Sequence, residues 1–392
     1  MPTARPAAIS AGSSAPDWHG AMDEALRSAP AFETGEGFPR GWWRHLGRHG
    51  VLGLGFAVEG GPGAADAVLV SALAERITHA TGRLGLATAW MMQQLLGRYV
   101  LGPLMRNPAQ SGWAGALLAA MAQGESLVAL AISEPGAGAH PKLLQTRAIR
   151  DEDGAGWTLS GRKAFVSNGP AADAIVVLAV SDVREGRKRF DAFLLDARTP
   201  GLTRQPNARV QGLAPLGHCD LLLESCRVPE SRRIGPPGQA FETIAKPVRA
   251  VEDALLPGPL LGAMRRELEW GGRLLAARGP TESDAVREMG SLWLEWEALH
   301  AVRDALARAL EAQAGEAPGG ESLAFSTVGA RRLFERWQAA CQTFLESHRI
   351  LEPDAAPPDF IRDLRLVSGI ARSVAQSRQF QKGQQMLQSF SA

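Results

Sequence analysis

Residues 249–264 read RAVEDALLPGPLLGAM, in which two adjacent carboxylates, Glu252 and Asp253, open a stretch that is otherwise almost wholly apolar. On a helix Glu252 shares a face with Leu256, Pro259 and Leu260, and none of these offers it a partner. A carboxylate turned to an apolar face is costly unless it is paired, protonated or put to use. Apolar surroundings raise its proton affinity, which suits an acid that must remove a weakly acidic proton. The structural alternative is an ion pair with Arg249, three residues earlier, of a kind that contributes little. Asp253 has the same two readings. Buried beside Glu252, its like charge raises the proton affinity of the pair; otherwise it is a solvent-facing helix residue.

The elements that must position these acids follow from periodicity. From about Phe38 to Gln123 the apolar residues of DAVLVSALAERITHATGRL and LATAWMMQQLLGRYVLGPLM recur every three to four positions, as in helices. Near Gly124 the pattern changes to short β-like runs broken by Gly, Pro and Asp: SLVALAIS, GWTLSGRKAFVSN, DAIVVLAVSD, FDAFLLD and CDLLLESCRV. From about Gly238 it is helical again, with Leu292, Trp296, Leu299, Val302, Leu306 and Leu310 on one stripe. The expected organisation is a disordered leader over 1–20, a helical domain over 21–124, a β domain over 125–236 and a helical bundle over 237–392. AGEAPGGES (314–322) and EPDAAPPD (352–359) read as loops between helices. REGRKR (184–189) reads as a solvated hairpin tip or, alternatively, as cations that contact a phosphate on a ligand or carrier.

Composition narrows the class. The chain has 392 residues, 45% hydrophobic and 21% charged, with a formal net charge of +1, which describes a globular protein with no electrostatic reason to bind nucleic acid or an anionic membrane. No apolar run is long enough to span a bilayer, and MPTARPAAISAGSSAPDWHG lacks the apolar core of a signal peptide. Cys219, Cys226 and Cys341 form no metal-ligand or CxxC spacing and fit a reducing compartment, so a cytoplasmic location is expected. GLGFAV (53–58) has two glycines of a dinucleotide fingerprint but Val58 in place of the third, and no P-loop, HExxH or GxSxG occurs.

Three blocks within the β region carry a resemblance. LAISEPGAGAHPKLLQTRA (130–148), GWTLSGRKAFVSNGPAADAIVVLA (156–179) and GLAPLGHCDLLLESCRVPESRRIG (212–235) are similar, in order and spacing, to the TEPGAGSD, G-K-x-WITN and VP…G blocks of the acyl-CoA dehydrogenase superfamily. FPRGWWRHLGRHGVLG, EGGPG and FIRDLR extend the likeness over nearly the whole chain. The resemblance implies an α+β fold: an N-terminal helical domain, a middle β-barrel-like domain and a C-terminal four-helix bundle, with FAD between the last two. It implies that Ser133 serves the pyrimidine edge of the flavin, that Ser167 stands near N5 and that Phe165 walls one ring face.

The implied reaction is α,β-dehydrogenation of an acyl thioester, carried by CoA or a carrier protein, with an electron-transfer flavoprotein or another acceptor. In most of the family the base follows the RD arginine by nine residues; here that position is Ala371, whose backbone N–H would instead hold the thioester oxygen. Members resembling isovaleryl- and long-chain acyl-CoA dehydrogenases carry the base ten residues before the glycine of a GPLGLM-like stretch. Gly262 is that glycine and Glu252 stands ten residues before it. A homodimer or homotetramer is implied, because the family's FAD is contacted across subunits.

The chain also departs from the family. Ala139 replaces a serine and His140 an aspartate of the segment that holds the thioester carrier, and Asp253 stands where the family has Arg. Arg278 alone remains of RxxFG, which reaches the FAD pyrophosphate, and CQTFLESHRILEP keeps no QxxGG glycines for the adenosine phosphates. Two other readings share the fold: a flavin monooxygenase, and a flavin-free subunit or scaffold.

Overall fold

The computed structural model describes residues 16–32, 37–56, 64–207, 209–210, 212–279, 282–312, 321–351, 356–369 and 372–390. Its first helix, α1 (Trp18–Arg27), starts inside the stretch expected to be a leader. Asp17 caps it by accepting the Gly20 N–H at 2.9 Å, and Met22 and Ala25 are fully buried beneath it. Helices α2 (Arg40–Arg48), α3 (Ala67–Thr81), α4 (Leu84–Leu96) and α5 (Pro108–Gln123) follow. The change of pattern at Gly124 marks a helix end. Gly124 adopts φ 76° and its N–H closes on the carbonyls of Ala120 and Met121.

The middle segment holds strands β1 (Val128–Ala131), β2 (Arg147–Arg150), β3 (Gly156–Ser167), β4 (Ala174–Arg184), β5 (Arg187–Asp196), β6 (Leu202–Pro206), β7 (His218–Pro229) and β8 (Arg233–Ile234). They form one sheet in the order β6-β7-β3-β2-β4-β5-β8, with β1 parallel to β4. The apolar run of β4 does not alternate with polar residues because both its faces are covered. Ile175, Val177 and Ala179 face the interior of the β domain, whereas Val176, Leu178 and Val180 belong to the helical core. REGRKR is the β4–β5 turn.

Helices α6 (Lys246–Leu255), α7 (Pro257–Ala276), α8 (Ser283–Ala312), α9 (Glu321–Ser347), α10 (Asp359–Gly369) and α11 (Arg372–Phe390) complete the chain. The glycines of GPLLG permit a close helix crossing. A Cβ at Gly258 would lie 2.1 Å from the Ser71 carbonyl, and one at Gly262 would lie 2.3 Å from that of Glu75, so α7 presses its backbone onto α3. One hydrophobic cluster runs from Met22 in α1 to Val367 in α10, so the helices before and after the β domain share a core. Among the described residues, no helix is long and apolar enough to cross a membrane.

Glu267 of α7 is 1% exposed, and its Oε2 has no hydrogen-bond partner among the described residues. Burial pushes its carboxyl from 4.5 up to about 7, against a weaker opposing pull from Arg365 of α10. The folded chain therefore keeps a proton that the unfolded chain releases between those values. Stability should fall by about 3 kcal/mol as pH rises through this window and then level off. Urea unfolding at about pH 5 and about pH 8 measures the loss, and Glu267→Gln should abolish its Glu267 component. An unchanged slope in that variant would exclude Glu267 as its source.

Candidate functional site

Ser133, Phe165 and Ser167 come together where β1 and β3 end. The Ser133 carbonyl accepts the Ala164 N–H at 2.8 Å, which ties the segment after β1 to β3. The pairing of β3 with β7 shifts between Lys163 and Val166, and Phe165 within that shift has φ 57°. Positive φ is costly for an aromatic residue, so the surrounding contacts must impose it. Asp220 Oδ1 accepts the Phe165 N–H at 3.1 Å, and the ring is left 39% exposed. An exposed aromatic face flanked by two hydroxyl-bearing residues fits the face and polar edge of an isoalloxazine ring.

A buried ion pair lies behind this edge. Lys163, fully buried, places Nζ 2.9 Å from Glu134 Oε1 and 3.1 Å from the Ile132 carbonyl. Glu134 also accepts the N–H groups of Gln145 and Thr146, at 2.6 and 2.9 Å. Burial acts to raise the Glu134 carboxyl, but Lys163 and these N–H groups outweigh it and hold the group below the ordinary value. The Lys163 ammonium is lowered by burial to about 8.

His218, at the start of β7, was not singled out by the sequence reading, whose only signal was a histidine opening an apolar run. Its Nε2 lies 3.2 Å from Ser167 Oγ, and its buried Nδ1 has no partner among the described residues. Burial lowers its pKa to about 4, so the ring is neutral near pH 7. A buried N–H without an acceptor is rarer than a buried acceptor without a donor. That asymmetry favours Nε2–H donating to Ser167, which frees the serine hydroxyl to donate elsewhere.

The helices reach this edge through the loop before β7. Asn168 donates its N–H to the carbonyls of Leu216 and Gly217. Leu213 donates its N–H to Asp363 Oδ1 of α10 at 3.0 Å. A Cβ at Gly85 of α4 would lie 1.7 Å from the Leu213 carbonyl. The loop is thus clamped between α4 and α10, and α4 in turn packs against α6, which bears the paired acids.

Glu252 keeps some exposure as a residue, yet its carboxyl is buried deeply enough to be raised above the ordinary range. Burial is the main cause and Asp253 adds to it, while Arg249 and Arg331 oppose it. Among the described residues, no hydrogen bond or ion pair reaches the Glu252 carboxylate. Asp253, expected to face solvent, is instead held among arginines, and Arg249, the alternative partner of Glu252, turns to Asp253. Asp253 takes Arg249 Nε at 3.0 Å and Arg331 at 3.4 Å, with Arg378 at 4.0 Å. The spacing explains the choice: Arg249 reaches the residue four positions on. Arg249, Asp253 and Leu260 line a small cleft together with Phe334 and Val367; Glu252 is not part of its lining.

The other expected site residues are placed differently. Arg278 spends its guanidinium on the carbonyls of His348 and Arg349, at 2.9 and 2.6 Å, at the end of α9. The segment expected near the adenosine phosphates is helical to Ser347, with Phe344 and Leu345 in the core. The ring end therefore fits a flavin, whereas these described side chains offer its diphosphate no comparable fit. Ala139 and His140 are exposed on the turn after Glu134. Ala371 lies outside the described residues. Among the described residues, no group of three or more His, Cys, Asp or Glu could hold a metal.

Residues 129–226 match the family model for the acyl-CoA dehydrogenase middle domain. The mitochondrial short-chain specific acyl-CoA dehydrogenase of Rattus norvegicus is 28% identical over 208 residues, 52% of this chain and 48% of the relative. This chain thus spans about half the length of the curated relatives it matches. Butyryl-CoA dehydrogenase from Megasphaera elsdenii superposes with a TM-score of 0.75 at 19% identity, covering 95% of this chain and 97% of that one. Nitrososynthase from Micromonospora carbonacea var. africana superposes with a TM-score of 0.71 at 21% identity, covering 90% of each chain. At these identities the two structures establish the shared fold. The family match itself covers the middle segment, residues 129–226.

Two measurements test the edge. Lys163→Met leaves a buried, uncompensated carboxylate and should destabilise the protein by about 3–5 kcal/mol in urea unfolding. Lys163→Met with Glu134→Gln should recover part of that loss, and equal losses in the two variants would refute the pairing argument. In an NMR titration, the ring resonance of His218, assigned with His218→Gln, should stay flat from about pH 8 down to about pH 5. A midpoint near the ordinary histidine value would contradict its burial beside Ser167.

Proposed function

We propose that this protein is a flavin-dependent dehydrogenase of acyl thioesters in which Glu252 removes the α-proton. The observation that carries this reading is a carboxylate with raised proton affinity and no direct partner among the described residues, beside an aspartate that takes the neighbouring arginines. A flavin, when bound, supplies the two-electron acceptor for the β-hydrogen. Ser133 and Ser167 hold its polar edge, and Phe165 covers one face. Pairing of Arg249, Arg331 and Arg378 with Asp253 leaves Glu252 free of an ion pair that would weaken it as a base. The backbone N–H of Ala371 would hold the thioester oxygen, withdrawing charge from the carbonyl as the proton leaves. The same reading implies a homo-oligomer and an acceptor such as an electron-transfer flavoprotein.

A second reading, a flavin-free scaffold of the same fold, is favoured by the commitment of Arg278 to the end of α9. The visible spectrum separates the two. Purified protein given FAD should show oxidised flavin that bleaches anaerobically with butyryl-CoA or a longer acyl-CoA. Glu252→Gln should keep the flavin and slow bleaching by about 10²- to 10⁴-fold. Protein that stays colourless after reconstitution would establish the scaffold reading, and unchanged bleaching in Glu252→Gln would remove Glu252 as the base.

A further inference from the structure

The β domain carries a surface that the proposed reaction does not use. β2 and β4 pair at a single parallel register, Arg147 with Val180. Beyond it they leave an open groove lined by Ile149 and Val183, which are 66% and 57% exposed. A second groove shares Gln145 with the first and contains Leu143, 52% exposed. The β4–β5 turn is fixed to this face, because Lys188 donates to the carbonyls of Lys142 and Leu144 at 2.9 and 2.6 Å.

Exposed apolar residues scattered singly are ordinary, but three on adjoining grooves form a patch. Its rim is basic. Arg147 and Arg162 line the grooves and make no ion pair among the described residues, whereas Asp182 is already taken by Arg184 at 2.6 Å. Both grooves are open to solvent rather than enclosing, unlike the pocket of a small-molecule site. An apolar centre with an unpaired basic rim is complementary to the acidic face of a protein. The second groove is lined by Glu134, which directly follows Ser133 at the ring edge.

We propose that this face docks an acidic carrier protein that bears the acyl thioester on a flexible arm. The inference rests on the thioester reading above and names the partner that delivers the substrate. The arm enters along the Glu134–His140 turn while the carrier sits on Leu143, Ile149 and Val183. Charge sets the rate of encounter and the apolar contacts hold the complex.

The test uses the full chain and a fluorescein-labelled, butyryl-loaded acidic acyl carrier protein, followed by fluorescence anisotropy. Wild type should bind, and binding should weaken as salt is raised. Arg147→Glu with Arg162→Glu should weaken binding at low salt by tenfold or more. The same variant should keep the wild-type Tm and wild-type bleaching by butyryl-CoA. Ile149→Ser should weaken binding without altering its salt dependence. No binding by wild type at low salt, or equal binding by the charge-reversal variant, overturns the proposal. Bleaching by butyryl-CoA without carrier binding removes the docking face and leaves the dehydrogenase. Salt-dependent binding by a protein that no thioester bleaches supports the docking face and removes the dehydrogenase.

Discussion

The candidate ring edge depends on the buried ion pair between Lys163 and Glu134. One carboxylate gathers an ammonium and two backbone N–H groups, and the ammonium also reaches the Ile132 carbonyl. Three short segments therefore meet at two buried charges. Such a pair gives weak net stability compared with an apolar substitute, but breaking it leaves an uncompensated charge, so its geometry is strictly enforced. That enforcement helps to explain how Phe165 can hold a left-handed backbone conformation next door, where an ordinary strand would turn its ring elsewhere.

Around α6 the electrostatics divide two neighbouring acids between two tasks. Asp253 collects arginines from its own helix, from α9 and from α11, and so joins three elements of the bundle. Glu252, one residue earlier, is left with burial and a like charge as the influences that raise its proton affinity. The difference comes from helical geometry rather than residue type. A step of one residue turns the side chain by about 100°, from the arginine-lined cleft toward a different neighbourhood.

Much of this was legible in the sequence. The long apolar stripes gave the helices, and the five apolar β runs located β1, β3, β4, β5 and β7, because buried strand faces must be apolar. The short strands β2, β6 and β8 were not legible, since segments such as RAIR and LTRQP carry no pattern and become strands only by pairing with a longer neighbour. Of the candidate site, the family resemblance singled out Ser133, Phe165 and Ser167, and its apolar company singled out Glu252. His218 could not, because a histidine's role depends on which side chain the fold sets against it. Arg278 and Asp253 were misjudged for the same reason, as long-range partners decide what a charged group does.

The single core shared by the helices on either side of the β domain has a consequence for how the molecule is made. Gly258 and Gly262 seal a contact with α3 across nearly two hundred residues of intervening chain. During synthesis the N-terminal helices emerge with their apolar faces uncovered and must wait for α7. The β domain, whose strands pair within its own segment, can form in the meantime. A chain released after the β domain would therefore present a finished sheet beside helices that lack their packing partner. The unit of folding is thus a discontinuous helical body with the β domain inserted between its halves, rather than three beads in a row.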